Sequence, residues 1–363
     1  MRKNLKIALL IASIVIVGGG GIFGIIVAVT WGEYKYTDTY YYDPQLPPSG
    51  IEEVSFSSDI GGIVINYNTT PTNNYVKIDL DIKLKGAFVN GKSFSDFFRP
   101  IIWINDSIST TTFSLEKKPS TWFLFPLIQK INISITLRTD IIYDISALTS
   151  TGSVEMNIAE NVILNSTNLA TSTGSVYVQA ENNSILFGDL DLRVSTGSIN
   201  LFAKGVNFSY GFKAVTSTGS LNLNLTNCII GEDIKGKAST GGITLKSYNV
   251  QYDKNCVWDI ETNTGSIDIE ISQFIEMGAD ITGTIETSTG SIDLVYIDNQ
   301  ASVGASFLGS WSTGSYTRSS SGGGFVATNI NPFASLDYGT ASSTYTLDLT
   351  VSTGSIDVDG TSS

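Results

Sequence analysis

The sequence predicts an all-β fold: a single-stack β-solenoid, β-helix-like, with rungs of about 22–25 residues, preceded by one N-terminal transmembrane helix. Three observations predict it. A Ser-Thr-Gly-Ser motif recurs along the chain, the residues after each motif alternate apolar and polar, and an uncharged apolar run opens the sequence.

The motif glycines are Gly152, Gly174, Gly197, Gly219, Gly241, Gly265, Gly290 and Gly354, with an irregular copy at Gly314. Successive spacings from Gly152 to Gly290 run from 22 to 25 residues, a period in the range of stacked repeats. Two positions after the glycine stand Val154, Val176, Ile199, Leu221, Ile243, Ile267, Ile292 and Ile356. Four positions after it stand Met156, Val178, Leu201, Leu223, Leu245, Ile269, Leu294 and Val358. Period two puts both sets on one strand face, which must be the core. Between them lie Glu155, Tyr177, Asn200, Asn222, Thr244, Asp268, Asp293 and Asp357, a mostly polar column that faces water. A second alternating strand precedes each motif, as in Phe212-Lys213-Ala214-Val215, so each repeat supplies two short strands and two turns. No repeat can bury its apolar row alone, so neighbours must stack on it.

Glycine suits the corner because a sharp reversal needs a φ that other residues reach only at a cost, and the flanking hydroxyls can bond the turn backbone from rung to rung. Roughly nine rungs at about 4.8 Å would make a rod about 40 Å tall. At Gly314 the two core positions hold Tyr316 and Arg318, which marks an irregular rung; the Gly354 copy resumes the pattern and is expected to close the stack.

The chain divides into four parts: a basic end and transmembrane helix over 1–31, a Tyr/Pro-rich spacer over 32–50, an N-terminal β capping region over 51–145, and the repeat solenoid over 146–363. Arg2, Lys3 and Lys6 precede the run Ile7 to Trp31, which carries no charge. At about 1.5 Å per residue it outspans a roughly 30 Å hydrocarbon core. The basic side stays cytoplasmic, which places the C-terminal domain outside a cell membrane crossed once. A cleaved signal peptide is the competing reading of the same run. Pro44, Pro47 and Pro48 stiffen the spacer.

Composition narrows function. Charged residues make up 15% of the 363 and the net charge is −13, which repels phosphate backbones, so no nucleic-acid partner is expected. Histidine is absent, which removes the commonest general base and the preferred nitrogen ligand for zinc. No catalytic residue, cofactor or metal site is assigned. Asp268, Glu270 and Asp293 could form a carboxylate ladder that takes calcium, but no loop matches an EF-hand or a glycine-rich calcium repeat. Cys228 and Cys256 lack CxxC spacing; they can pair or remain buried thiols. Sequons at Asn68, Asn105, Asn132, Asn165, Asn182, Asn207 and Asn224 are as many as so Asn- and Ser-rich a chain carries by accident.

Between Lys117-Lys118 and Lys130 the stretch Trp122-Phe123-Leu124-Phe125-Pro126 is densely apolar. It reads as a cap over the first rungs, or as a membrane or partner contact through Trp122, Phe123 and Phe125.

Ile60-Gly61-Gly62-Ile63-Val64-Ile65, the strand Ile131 to Leu137 leading into Ala147-Leu148-Thr149-Ser150-Thr151-Gly152-Ser153, and the tandem copies that follow resemble the putative-adhesin family, envelope domains of unknown function. The resemblance covers about residues 50–360. It implies a membrane-anchored or secreted β-solenoid without established catalytic residues. The expected function is a non-enzymatic surface-structural or adhesin-like binding module with surface glycans or envelope proteins as partners. The alternatives are a regulatory ectodomain that binds an envelope membrane partner and, as an outsider, a β-helix polysaccharide-active enzyme.

Overall fold

The computed structural model describes residues 31–43, 50–68, 74–86, 89–106, 110–118, 128–299, 302–320, 323–326 and 331–362. The predicted transmembrane helix, apart from Trp31, lies outside the described residues. Among the described residues no helix is long and apolar enough to cross a membrane.

The fold is all-β, and among the described residues the strands form one continuous sheet of 28. The sheet coils because each strand pairs in parallel with its counterpart one repeat later. Val176–Ala180 lies between Val154–Ile158 and Ile199–Lys204, with Val176 in register with both Val154 and Ile199. On the other side of the corner, Leu190–Thr196 pairs with Phe212–Thr218 in the same fashion. The repeat carries more than the two strands expected. Two-residue strands at Ile185–Leu186, Asn207–Phe208, Ile229–Ile230 and Gln251–Tyr252 stack on one another and give these coils a third side. We call the side before the corner glycine the leading face and the side after it the trailing face.

Both apolar columns expected from the alternation are buried, with none of their members more than 2% exposed. The polar column between them is partly or fully exposed throughout. Volume is balanced between coils as well as within them. Trp258 is fully buried, and its register partner one coil on is Gly283, where an added Cβ would stand 2.4 Å from the Trp258 carbonyl. The large residue is accommodated because its neighbour is small, which keeps interior packing dense without strain.

The coil stack begins earlier than residue 146. Glu52–Ser58 and Gly62–Asn68 already form a coil, in register with Tyr143–Thr149 and with Val154–Met156. The strands Val76–Gly86, Thr110–Leu115 and Ile128–Arg138 extend the sheet of that first coil. Ile128–Arg138 pairs with Gly62–Asn68, Val76–Gly86 pairs antiparallel with Ile128–Arg138, and Thr110–Leu115 pairs with Glu52–Ser58. A single helical turn, Phe94–Phe97, is held at its start by the Ser93 and Asp96 capping box.

The spacer expected over 32–50 is corrected for its first part. Gly32–Tyr42 is a strand paired antiparallel along its full length with Val76–Gly86. Its tyrosines supply the reason: Tyr34 packs on Phe97 at 5.3 Å, Tyr36 on Phe94 at 4.7 Å and Tyr40 on Phe113 at 5.5 Å between ring centroids. Aromatic area buried against the cap outweighs the cost of ordering the segment. Residues 44–49, which hold the prolines Pro44, Pro47 and Pro48, lie outside the described residues.

The carboxyl-terminal order also differs from expectation. The coil of Gly354 does not follow that of Gly314; it lies beneath it. Ser343–Thr361 pairs on one side with Ile281–Thr289 and Ile292–Asp298, and on the other with Val303–Ser319. The chain therefore lays down its outermost coil first and then threads its last strand under it. This accounts for the irregular Gly314 copy, because an end coil has a neighbour on one side only. Tyr316 takes a core position and donates its hydroxyl to the Phe307 carbonyl at 3.1 Å, while the Arg318 guanidinium lies 4.5 Å over its ring.

Candidate binding surfaces

The corner glycines form one column in the order Gly61, Gly152, Gly174, Gly197, Gly219, Gly241, Gly265, Gly290, Gly354, Gly314. All have φ between +107° and +151°. Conformational freedom is half of the requirement. A Cβ on Gly219 would stand 1.8 Å from the carbonyl oxygen of Gly197, and the same clash recurs up the stack. The glycines that sequence reasoning assigned to turns are therefore also the points where neighbouring coils touch backbone to backbone.

Hydroxyls do bond this corner from coil to coil, chiefly through a residue outside the motif. Thr171, Thr216, Thr262 and Thr287, three positions before their own glycines, are buried, and each donates to the carbonyl of the corner glycine one coil below at 2.8–3.1 Å. The Ser and Thr immediately before the glycine point outward. The second turn expected in each repeat had been given no residues. Asn161, Asn183, Asn227 and Asn249 take φ of +50° to +61°, and Gly205 takes +64°, a region that asparagine tolerates better than other non-glycine residues. Their spacing of eight or nine residues after each corner glycine was visible in the sequence.

On the leading face the outward serines at Ser150, Ser172, Ser195 and Ser217 run parallel to the stack axis. With Ser57, Ser114, Asp59, Glu116 and Arg193 they line a hollow of about 580 Å³. Small side chains make it: Ala170 and the serines are flanked by the larger Leu148 and Val215. The floor is rich in hydroxyls that both donate and accept. Of its charged groups, Arg193 Nε donates to Asp191 Oδ1 at 2.9 Å and Glu116 Oε2 accepts from Arg99 Nη1 at 2.8 Å, while the Asp59 carboxylate accepts the Lys117 backbone N–H at 3.0 Å.

On the trailing face Asp268, Asp293 and Asp357 stand in register on consecutive coils. Sequence reasoning paired the first two; the third joins them only because the Gly354 coil is threaded next to that of Gly290. Partial burial and the flanking Asp268 and Asp357 charges hold the Asp293 carboxyl above its ordinary range, against a hydrogen bond from Ser291 that lowers it. Glu270 is paired with Lys246 at 2.6 Å. Among the described residues no group of three or more Cys, Asp or Glu side chains is placed to hold a metal ion. A carboxyl whose folded pKa is raised costs stability when ionised and ceases to do so as pH falls through that value. Asp293→Asn is therefore expected to stabilise the protein at pH 7 by a few tenths to about 1 kcal/mol, the size of a like-charge cross-strand pair. In urea titrations the gain should shrink to nothing below about pH 3, where the native carboxyl is itself neutral.

The expected contact residues Trp122, Phe123 and Phe125 lie outside the described residues. Cys228 and Cys256 are free, buried thiols on different sides of their coils, and burial pushes both up to about 11. Cys228 follows the second corner, where its carbonyl accepts from Gln251 N; Cys256 opens a leading-face strand.

Stacked parallel coils with corner glycines, closed at one end by added strands and at the other by the coil of Val303–Ser319, define this protein as an all-β coil stack. No family model matches the chain, and no curated protein does. Among solved structures it is similar to a "putative cell adhesion protein" from Clostridium sporogenes ATCC 15579, at 10% identity over 90% of this chain and 100% of that one, with a TM-score of 0.20. It is also similar to a "putative adhesin" from Bacteroides fragilis NCTC 9343, at 12% identity over 90% and 97% of the two chains and a TM-score of 0.36. A third, a "putative adhesin" from Parabacteroides merdae ATCC 43184, aligns at 12% identity over 72% and 95%, with a TM-score of 0.33.

Proposed function

We propose that this chain is a non-enzymatic, adhesin-like binding module of the cell surface, held to the membrane through its N-terminal apolar run and presenting the coil stack outward. The observation that carries this reading is the leading-face hollow, a hydroxyl-lined trough spanning several coils whose Arg193 and Glu116 are already held by Asp191 and Arg99. Such a surface suits an extended partner rich in hydroxyl and amide groups, which it can meet at each coil spacing of about 4.8 Å. A rigid stack favours this use because its binding groups are ordered before the partner arrives.

Cosedimentation of the purified chain with cell-envelope fractions tests it. The native chain should pellet with envelope material, and Ser172→Trp/Ser195→Trp, which fills the trough from outward positions, should reduce the bound fraction at least tenfold while leaving the melting temperature unchanged. Equal pelleting of both proteins, or none of either, would overturn the assignment.

A further inference from the structure

On the trailing face, around the corner from the trough, one column is out of character. Its outward members are Asn157, Gln179, Phe202, Asn224, Lys246, Glu270 and Val295 in successive coils, so Phe202 is an aromatic ring in a mostly polar row. It is 39% exposed. Tyr177 lies beside it, one coil back and one column over, with ring centroids 5.6 Å apart and a tilt of 41°. The two rings form one wall of a hollow of about 310 Å³ whose other lining includes Gln179, Asn224 and Lys204. That volume is at the lower end of small-ligand sites.

Polar groups around the rings are held in place by one another. Tyr177 donates its hydroxyl to Gln179 Oε1 at 3.0 Å, Gln179 Nε2 donates to Glu181 Oε1 at 2.8 Å, and Asn222 Nδ2 donates to Asn200 Oδ1 at 2.8 Å. Fixed amides keep further donor and acceptor positions open to an incoming group, since each carbonyl oxygen accepts twice and each amide nitrogen donates twice. An aromatic face beside ordered amides matches a ligand that has an apolar C–H face and an equatorial rim of hydroxyls. A flat aliphatic or lipid partner would leave the amides desolvated without partners, and an anion would meet the Glu181 carboxylate beside the Lys204 cation.

We infer that Tyr177 and Phe202 form a stacking platform for a neutral sugar ring, with Gln179 and Asn224 binding its hydroxyls. The inference rests on the proposed surface-binding role and deepens it, since it names the ligand class and a second contact on the same module. Stacking supplies ring selectivity through C–H contacts to the π face, and the trough around the corner supplies length.

The test is isothermal titration of the full chain with three neutral tetrasaccharides, cellotetraose, chitotetraose and mannotetraose. At least one should bind, and Phe202→Ala should weaken it at least tenfold. Phe202→Tyr should restore affinity to within about threefold, as a ring would but a merely structural phenylalanine at an exposed position need not. The trough variant Ser172→Trp/Ser195→Trp should bind the tetrasaccharide normally, so loss of envelope binding with retained sugar binding isolates failure of the trough from failure of the platform. Binding to none of the three sugars, or affinity indifferent to Phe202→Ala and Tyr177→Ala, would overturn the platform, as would envelope capture through this face that protease treatment of the envelope abolishes.

Discussion

Gly219→Ala is expected to destabilise the protein by at least about 3 kcal/mol, combining a strained left-handed φ with forced overpacking. The residue has φ +143°, and its new methyl would stand 1.8 Å from one backbone atom of the coil below and 2.5 Å from another. The Gly197 carbonyl accepts the Thr216 hydroxyl at 3.1 Å and cannot turn aside without breaking that bond. Gly91→Ala separates the two causes, because Gly91 has φ +73° and nothing within 4 Å of an added Cβ. It should cost only about 1–2 kcal/mol, the backbone part alone. Urea unfolding followed by hydrogen exchange should show the Gly219→Ala damage concentrated in the coils of Gly197, Gly219 and Gly241, since stacked repeats couple to nearest neighbours. A cost for Gly219→Ala no larger than that for Gly91→Ala would mean that the corners do not touch.

Removal of residues 343–363 should have the second large effect. Tyr345, Leu347, Leu349, Val351, Ile356 and Val358 are at most 2% exposed, and their loss takes away a strand that pairs on both sides. The truncated chain should lose protection throughout Val303–Ser319 and aggregate through the uncovered edge of Ile281–Asp298, while coils from Gly152 to Gly241 stay protected. A synthetic peptide of residues 343–362 added in trans should restore protection. The threading order has a separate check. Asp293 and Asp357 are register partners, so Asp293→Cys/Asp357→Cys should oxidise readily to a disulfide. Had the coils followed sequence order, the two positions would be two spacings apart, roughly 10 Å, beyond the reach of about 7 Å between Cα atoms that a disulfide allows.

The repeat was legible because it is written locally. Period two fixes which side of each strand is buried, and the columns through Val176 and Val178 needed no knowledge of the neighbours to be assigned. The cap was less legible. Its strands Val76–Gly86 and Gly32–Tyr42 pair with partners tens of residues away in antiparallel sense, with no repeat to announce them, and alternating tyrosines beside prolines read as a spacer. The binding surfaces were least legible: Phe202 was passed over as an ordinary outward residue, and the serine trough emerges only when Ser114 and Glu116 of the cap are brought beside Ser150 and Ser172.

By itself the sequence determined the coil: its length, its buried columns and the glycine at its corner, all consequences of backbone sterics and of burying alternate side chains. Only the tertiary structure decided the order of the last two coils, the backbone contact that forbids a Cβ at each corner, and the third carboxylate beside Asp293. Those depend on which strand edge is unpaired when the chain arrives, and a pattern of side chains carries no record of that.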